Sequence, residues 1–280
     1  MIQLPIIGAF LEAAGMIIEK KILKKKNLNY KNYTAYGFLA IVILMLPILL
    51  FAWGLKPEAF ETINILLMAF VVIVSVFANL LVFYSLKREN ITEFEPTWLM
   101  QPLFTILLAS IFYLNERNWS SLILALIASL SLILAHVKKH HLVLNKYIIA
   151  AIAGSFLFAV ELVASKPILP YYNPFTFYFI RCFFIFIICF ALFRPRINNI
   201  DKKTKLMVAA VALLWIFYRT IIYYGYENIG IVYTTTLFIL SPVLMVIMAM
   251  LFLKEKPTLR QIISMIIIVA CVVASVLLRN

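Results

Sequence analysis

The sequence predicts an all-α integral membrane protein of ten transmembrane helices, arranged as two inverted five-helix repeats, residues 1–140 and 141–280. Three observations carry that expectation. The chain is 65% hydrophobic and 13% charged, with a mean hydropathy of +1.02, which is more apolar than one soluble core can hide. Its apolar residues fall into runs of the length, about 20 residues, that a helix needs to cross a bilayer. Finally, the stretch from Phe83 to Glu116 returns as Tyr223 to Glu255: Tyr84 aligns with Tyr224, Ile91 with Ile231 and Pro102 with Pro242, half of the 280-residue chain apart. Such internal repetition decides architecture.

The runs lie near 3–19, 33–53, 62–86, 94–114, 119–137, 147–166, 174–193, 206–226, 230–253 and 258–278, joined by short connections. They are continuously apolar over lengths that barrel strands do not need, so helices are expected. The first run has no basic flank before it and carries Glu12, which reads as a retained helix rather than a cleaved signal peptide. The net charge of +13 is concentrated: the connections after runs one, three, five, seven and nine hold 18 Lys and Arg, the other connections and the termini 4. That placement speaks for a membrane protein with its basic loops in the cytoplasm rather than for nucleic-acid binding, and it puts both termini outside. Cys182, Cys189 and Cys271 all lie within apolar runs and form no disulfide framework.

The repeat extends beyond the first match. Gly8 aligns with Gly154, Lys20–Leu23 with Lys166–Leu169, and Thr34 and Tyr36 with Thr176 and Tyr178. Each unit has an odd number of crossings, so the second enters the membrane from the opposite side. Inverted repeats with a site between them near the midplane are a common plan for carriers.

The paired stretches Glu95-Pro96-Thr97 through Pro102 to Asn115-Glu116, and Thr234-Thr235-Thr236 through Ser241-Pro242 to Lys254-Glu255-Lys256-Pro257, resemble the drug/metabolite transporter superfamily in its ten-helix EamA-like branch. The resemblance covers nearly the whole chain. It implies a carrier of small metabolites in the cell membrane, often an exporter, without an ATP-binding part and without a cofactor. Members of that branch usually keep both termini cytoplasmic, against the charge count here, and orientation stays open between the two.

Glu12, Glu161, Arg181 and Arg219 lie within apolar runs. Each would cost about 2.5–3.5 kcal/mol facing lipid, so interior positions are expected. Gly8, Glu12, Gly15 and Glu19 share one helix face by their spacing; the matched face in run six carries Glu161. The order Glu12-Ala13-Ala14-Gly15 followed by Lys20 is also similar to the first helix of the small multidrug resistance branch, in which a membrane carboxylate binds protons or cationic substrate. That similarity implies a coupling role for Glu12, against the alternative of a carboxylate neutralised by an arginine. In run eight, Trp215, Arg219, Tyr223 and Tyr226 follow at helical spacing, with Asn79 in the place of Arg219 in run three. Such a face suits an anionic or zwitterionic ligand; an Arg219–Glu161 pair that only fixes packing is the alternative. Arg181, among apolar neighbours and at modest depth, is expected to snorkel to a surface. Run four shows a polar stripe of Glu93, Thr97, Gln101 and Thr105, and Pro102 and Pro242 are expected to act as paired hinges at matched depth. Glu116 and Glu255 mark the ends of runs four and nine and read as loop anchors. His136, His140 and His141 beside Lys138 and Lys139 read as a basic loop rather than a metal site.

The functional expectation is a secondary active carrier that moves a small metabolite, an amino acid-like zwitterion or organic anion, by alternating access, as an exporter coupled to protons. The alternatives are an exporter of cationic aromatic compounds and a flippase for a lipid-linked sugar or lipid. An enzyme is not expected: the sole aspartate, Asp201, lies in a loop, and no Gly-x-Ser-x-Gly, His-Glu-x-x-His or phosphate-cradling glycine loop is present. Nor is a channel, since neither repeat offers a charge ring or carbonyl filter. Expected partners are the substrate, the lipid bilayer and protons; runs five and ten, almost wholly apolar, suit the periphery or a homodimer contact.

Overall fold

The structure is a computed structural model that describes residues 3–25, 28–89, 94, 97–98, 100–117, 119–136, 145–195, 201–253 and 258–277. Among these residues the chain is nearly all helix: α1 (Gln3–Leu23), α2 (Tyr30–Ala52), α3 (Thr62–Arg88), α4 (Met100–Phe112), α5 (Trp119–His136), α6 (Lys146–Ser165), α7 (Pro174–Phe193), α8 (Lys202–Asn228), α9 (Ile231–Phe238), α10 (Leu240–Met248) and α11 (Leu259–Leu277). Six helical spans, among them α2, α3, α6, α7 and α8, are long and apolar enough to cross a membrane, and shorter apolar helices accompany them. The outside of the bundle is apolar too. Leu50 and Phe51 are 81% and 93% exposed, which an aqueous solvent would penalise and lipid does not.

The helices begin and end where local chemistry dictates. Asn29, Asn145, Asn173 and Asp201 cap α2, α6, α7 and α8, their side chains accepting from first-turn N–H groups. Consequently α2 starts three residues and α8 four residues before the apolar runs do. Likewise α1 continues past Glu19 to Leu23. Lysine is a good helix former and suits a C-terminus, and Lys20 is buried, donating to the carbonyls of Leu86 at 2.5 Å and of Glu89 at the end of α3.

Packing follows a matched scheme. α3 lies on α6 as α1 lies on α8; α4 on α6 as α1 on α10; α2 on α8 as α3 on α7. Three further contacts join counterparts directly: α2 with α7, α4 with α9 and α5 with α11. Gly154 allows the close approach of α6 to α3, since a Cβ there would stand 2.7 Å from Val82 Cγ2. The ninth run is broken. Pro242 lacks the N–H that the carbonyl of Phe238 would accept, α9 ends at Phe238 and α10 restarts at Leu240, two residues before the proline.

The two ends of the bundle differ. At one end lie the basic connections: Lys25 of the α1–α2 loop pairs with Asp201 at 3.2 Å before α8, Lys87 donates to the carbonyl of Leu28, and Asn145 donates to Glu89 at 2.9 Å. At the other end the α2–α3 and α6–α7 connections are laced by main chain. Asn173 N donates to Gly54 O at 2.8 Å, Lys56 N to Tyr171 O at 2.9 Å, and Leu55 and Tyr172 form an antiparallel bridge. Glu116 adds to this end, accepting from Ile231 N at 2.6 Å and Val232 N at 3.3 Å and pairing with Lys166, which agrees with its reading as an anchor. Glu255, Glu93, the Glu95-Pro96 pair, His140 and His141 lie outside the described residues.

Candidate functional site

A cavity lies between the halves, in the part of the bundle nearer the basic end. Its walls come from the second halves of α1 and α3 and the first halves of α2 and α8; Tyr178 and Arg181 of α7 reach it from the opposite direction and form its deep end. A smaller chamber lies deeper, lined by Glu12, Gln101, Pro102 and Tyr226 among others, and Trp98 lines both.

At the deep end of the main cavity is a buried charge cluster. Glu161 is fully buried and faces Arg181 (Nε to Oε1, 3.3 Å) and Arg219 (Nη1 to Oε2, 3.4 Å). Tyr223 donates to Glu161 Oε1 at 3.0 Å and accepts from Arg181 Nη1 at 3.1 Å, while Arg181 Nε also donates to Ser75 Oγ at 2.9 Å. Aromatic faces complete it: Arg219 lies 5.1 Å from the Phe158 ring and Arg181 5.8 Å from that of Tyr178. The cluster contains two guanidiniums and one carboxylate, so it carries one uncompensated positive charge. A guanidinium has five N–H donors, and Glu161 takes one of those of Arg219.

This corrects the expectation for Arg181. Its neighbours on α7 suggested snorkelling, but it is 1% exposed and its partners come from α3, α6 and α8. The pairing of Arg219 with Glu161 that the sequence left open is present, and Arg219 nevertheless lines the cavity.

The other candidates divide among three places. Asn79, Trp215 and Arg219 line the main cavity. Glu12, Gln101 and Pro102 line the deeper chamber, where Glu12 Oε1 accepts from Tyr218 at 2.7 Å and Trp98 at 3.1 Å; Glu12 is not neutralised by direct contact with an arginine. Glu161 and Tyr223 stand behind the arginines. Thr97 departs from the expected ligand wall: its hydroxyl donates to Phe94 O at 2.5 Å, its carbonyl accepts from Ser155 Oγ at 2.8 Å, and it lines neither cavity.

Four contributors escaped the sequence. Tyr218 and Trp98 carry no local signal, since their partners lie on other helices, and Ser75, which shares the face of Asn79 by its spacing, gives no sign of its partner Arg181. Glu19 did carry one, because it shares the face of Glu12 two turns on; its position at the apparent end of a run hid it. It is 2% exposed and lines the main cavity.

The comparisons agree with this architecture. The EamA-like transporter family matches residues 1–136 and 145–277. A solved structure titled only "Crystal structure of protein" superposes with a TM-score of 0.76 at 16% identity, covering 99% of this chain and 97% of its own, which shows a shared fold. No curated protein matches. A multi-pass helical membrane protein whose two halves both match this family is a membrane transporter: the chain belongs to the EamA-like transporter family.

Proposed function

We propose that the protein is a secondary active carrier that moves a small zwitterion or organic anion through the main cavity by alternating access. The observation that carries the reading is the surplus positive charge of Glu161, Arg181 and Arg219 at the deep end of an aromatic-lined cavity. An arginine held in place by a buried partner, with N–H groups left over, recognises a carboxylate without reorganising.

The rest of the molecule supports the same reading. Residues 1–140 and 141–280 act as two inverted five-helix repeats, ten crossings in all, and the matched helix pairings are what an exchange of conformation between halves requires. The ends are unequal in the way a carrier caught at one stage would be. Main-chain hydrogen bonds and a bridge lace the α2–α3 and α6–α7 connections, whereas the exposed Lys25–Asp201 pair joins their counterparts at the basic end. The basic end faces the cytoplasm by the positive-inside rule, so this is a cytoplasm-facing form, suited to loading for export. Glu12, in its separate chamber behind Trp98, is the coupling carboxylate that takes the proton, and Pro102 and Pro242 are the hinges.

Thermal stability of the detergent-purified protein against amino acids, organic anions, nucleotide sugars and quaternary aromatic cations tests this, because a ligand of the folded state raises apparent stability by mass action. Stabilisation by an amino acid or anion that is lost in Arg219→Gln is the expected result. Stabilisation by an aromatic cation alone, kept in Arg219→Gln and lost in Glu12→Gln, would overturn it in favour of a multidrug-type exporter. Stabilisation by nucleotide sugars or phosphates alone would point to lipid-linked sugar transport instead.

A further inference from the structure

In the same cavity wall as the arginines stands Glu19, a carboxylate with one oxygen unpartnered. Its Oε1 accepts from Tyr33 OH at 2.9 Å and from Trp215 Nε1 at 3.0 Å. Its Oε2 is buried and has no hydrogen-bond partner. Among the described residues no salt bridge reaches Glu19, and the nearby cations are committed elsewhere: Lys20 to the carbonyls that end α3, Arg181 and Arg219 to Glu161. Two donors fix the carboxylate in place while one oxygen is left without a donor, in a wall whose other members include Tyr33, Phe83, Trp98, Phe158 and Trp215. A buried acceptor left in that state is costly unless something else supplies the donor.

We propose that Glu19 is the cation-recognising group of the main cavity, its Oε2 taking the ammonium of a primary amine whose apolar or aromatic body lies among these rings. Aromatic faces add attraction for the ammonium and dry surface for the body. The inference rests on reading the cavity as the substrate site, and it narrows the substrate. Trp215, which holds Glu19, and Arg219 are one turn apart on α8, about 6 Å of rise. An α-amino acid, with ammonium and carboxylate on one carbon and a hydrogen bond from each, bridges such a pair. The class is thus an amino acid with an apolar or aromatic side chain. Glu12 plays no part in this recognition: its chamber is separate and both of its donors are the protein's own.

The test uses three matched probes on the full-length protein in detergent: L-phenylalanine, phenethylamine, which lacks the carboxylate, and 3-phenylpropionate, which lacks the amine. Phenethylamine and phenylalanine are expected to bind the parent protein and to weaken about tenfold or more in Glu19→Gln, while phenylpropionate binding stays unchanged there and falls in Arg219→Gln. Amine binding that survives Glu19→Gln, or a parent protein that binds neither amine-bearing probe, overturns the assignment. The two readings fail separately. Glu19-dependent phenethylamine binding without phenylalanine binding would sink the zwitterion carrier and leave Glu19 standing; phenylalanine binding indifferent to Glu19→Gln would do the reverse. Should Glu19→Gln fail to fold, carbodiimide modification of the parent protein, mapped by mass spectrometry, replaces it. Bound phenethylamine is expected to be captured by the activated Glu19 carboxyl as its amide, the carbodiimide leaving as the urea, while Glu12 gains no phenethylamide, and a Glu19 without that amide overturns the proposal.

Discussion

Asn173 lies directly against Gly54. Its N–H donates to the Gly54 carbonyl at 2.8 Å, and a Cβ at position 54 would stand 2.9 Å from the Asn173 Cβ. The seal between the α2–α3 and α6–α7 connections therefore depends on a missing side chain. Gly54→Val is expected to cost this conformation about 1–3 kcal/mol, as overpacking does, and to shift the protein toward the form open at that end. Counterflow in proteoliposomes should fall while ligand-induced stabilisation in detergent persists. Unchanged counterflow would show that the contact is not a gate.

The charge cluster predicts an inequality between its members. Glu161→Gln leaves Arg181 and Arg219 buried without a counterion, and breaking a buried pair in this way costs about 3–5 kcal/mol. Arg219→Gln leaves Glu161 still paired with Arg181 at 3.3 Å. Thermal unfolding in detergent should accordingly show a much larger loss for Glu161→Gln than for Arg219→Gln. The opposite order would mean that Glu161 is not the hub.

Pro242→Ala restores the N–H that the Phe238 carbonyl lacks and should carry helix across Ile239, joining α9 to α10. If the break is a hinge, straightening it raises the barrier between conformations. Counterflow slows about tenfold for each 1.4 kcal/mol added, with binding of the same ligand little changed. A variant that transports at the parent rate would leave the break as packing alone.

Asp201 supplies a pH-dependent contribution outside the membrane. The Thr204 hydroxyl at 2.5 Å, aided by Lys25 and the Thr204 N–H, holds its carboxyl down to about 2, although partial desolvation works the other way. A depressed folded value stabilises above the ordinary value of 3.8, and that contribution is lost as pH falls from there toward about 2. The thermal stability gap between the parent protein and Asp201→Asn should be present at neutral pH, small because the pair is exposed, and should close across that interval. A gap that does not change with pH would place the effect of Asp201 in its capping geometry alone.

How much of this was legible varies with the range of the interaction. Helix positions were, because an apolar run of crossing length and an Asn or Asp cap are local in the chain; the starts of α2 and α8 and the end of α1 moved by a capping or carbonyl contact, α3 runs on to Arg88, and the ninth run is broken before Pro242. The matched prolines were legible too, as was the interior placement of Glu12, Glu161 and Arg219, since bare charges in hydrocarbon are expensive wherever they fall. Arg181 was misjudged because nothing on α7 reveals Ser75, Glu161 and Tyr223. The contacts of Thr97 were not legible either, since its carbonyl meets Ser155 Oγ of α6, 58 positions away.

The sequence by itself determined that this chain is a repeated, helical membrane protein with a few costly charges inside, because periodicity, length and transfer energy act on each segment independently. Only the tertiary structure decided which charges answer one another. Glu161 is shared by two arginines, Glu12 is held by Trp98 and Tyr218, and Glu19, in the cavity wall, has one oxygen without a hydrogen-bond partner. Those relations depend on distances between residues up to 206 positions apart, as in the Glu12–Tyr218 bond, and electrostatics in a dry interior is set by such distances rather than by sequence order.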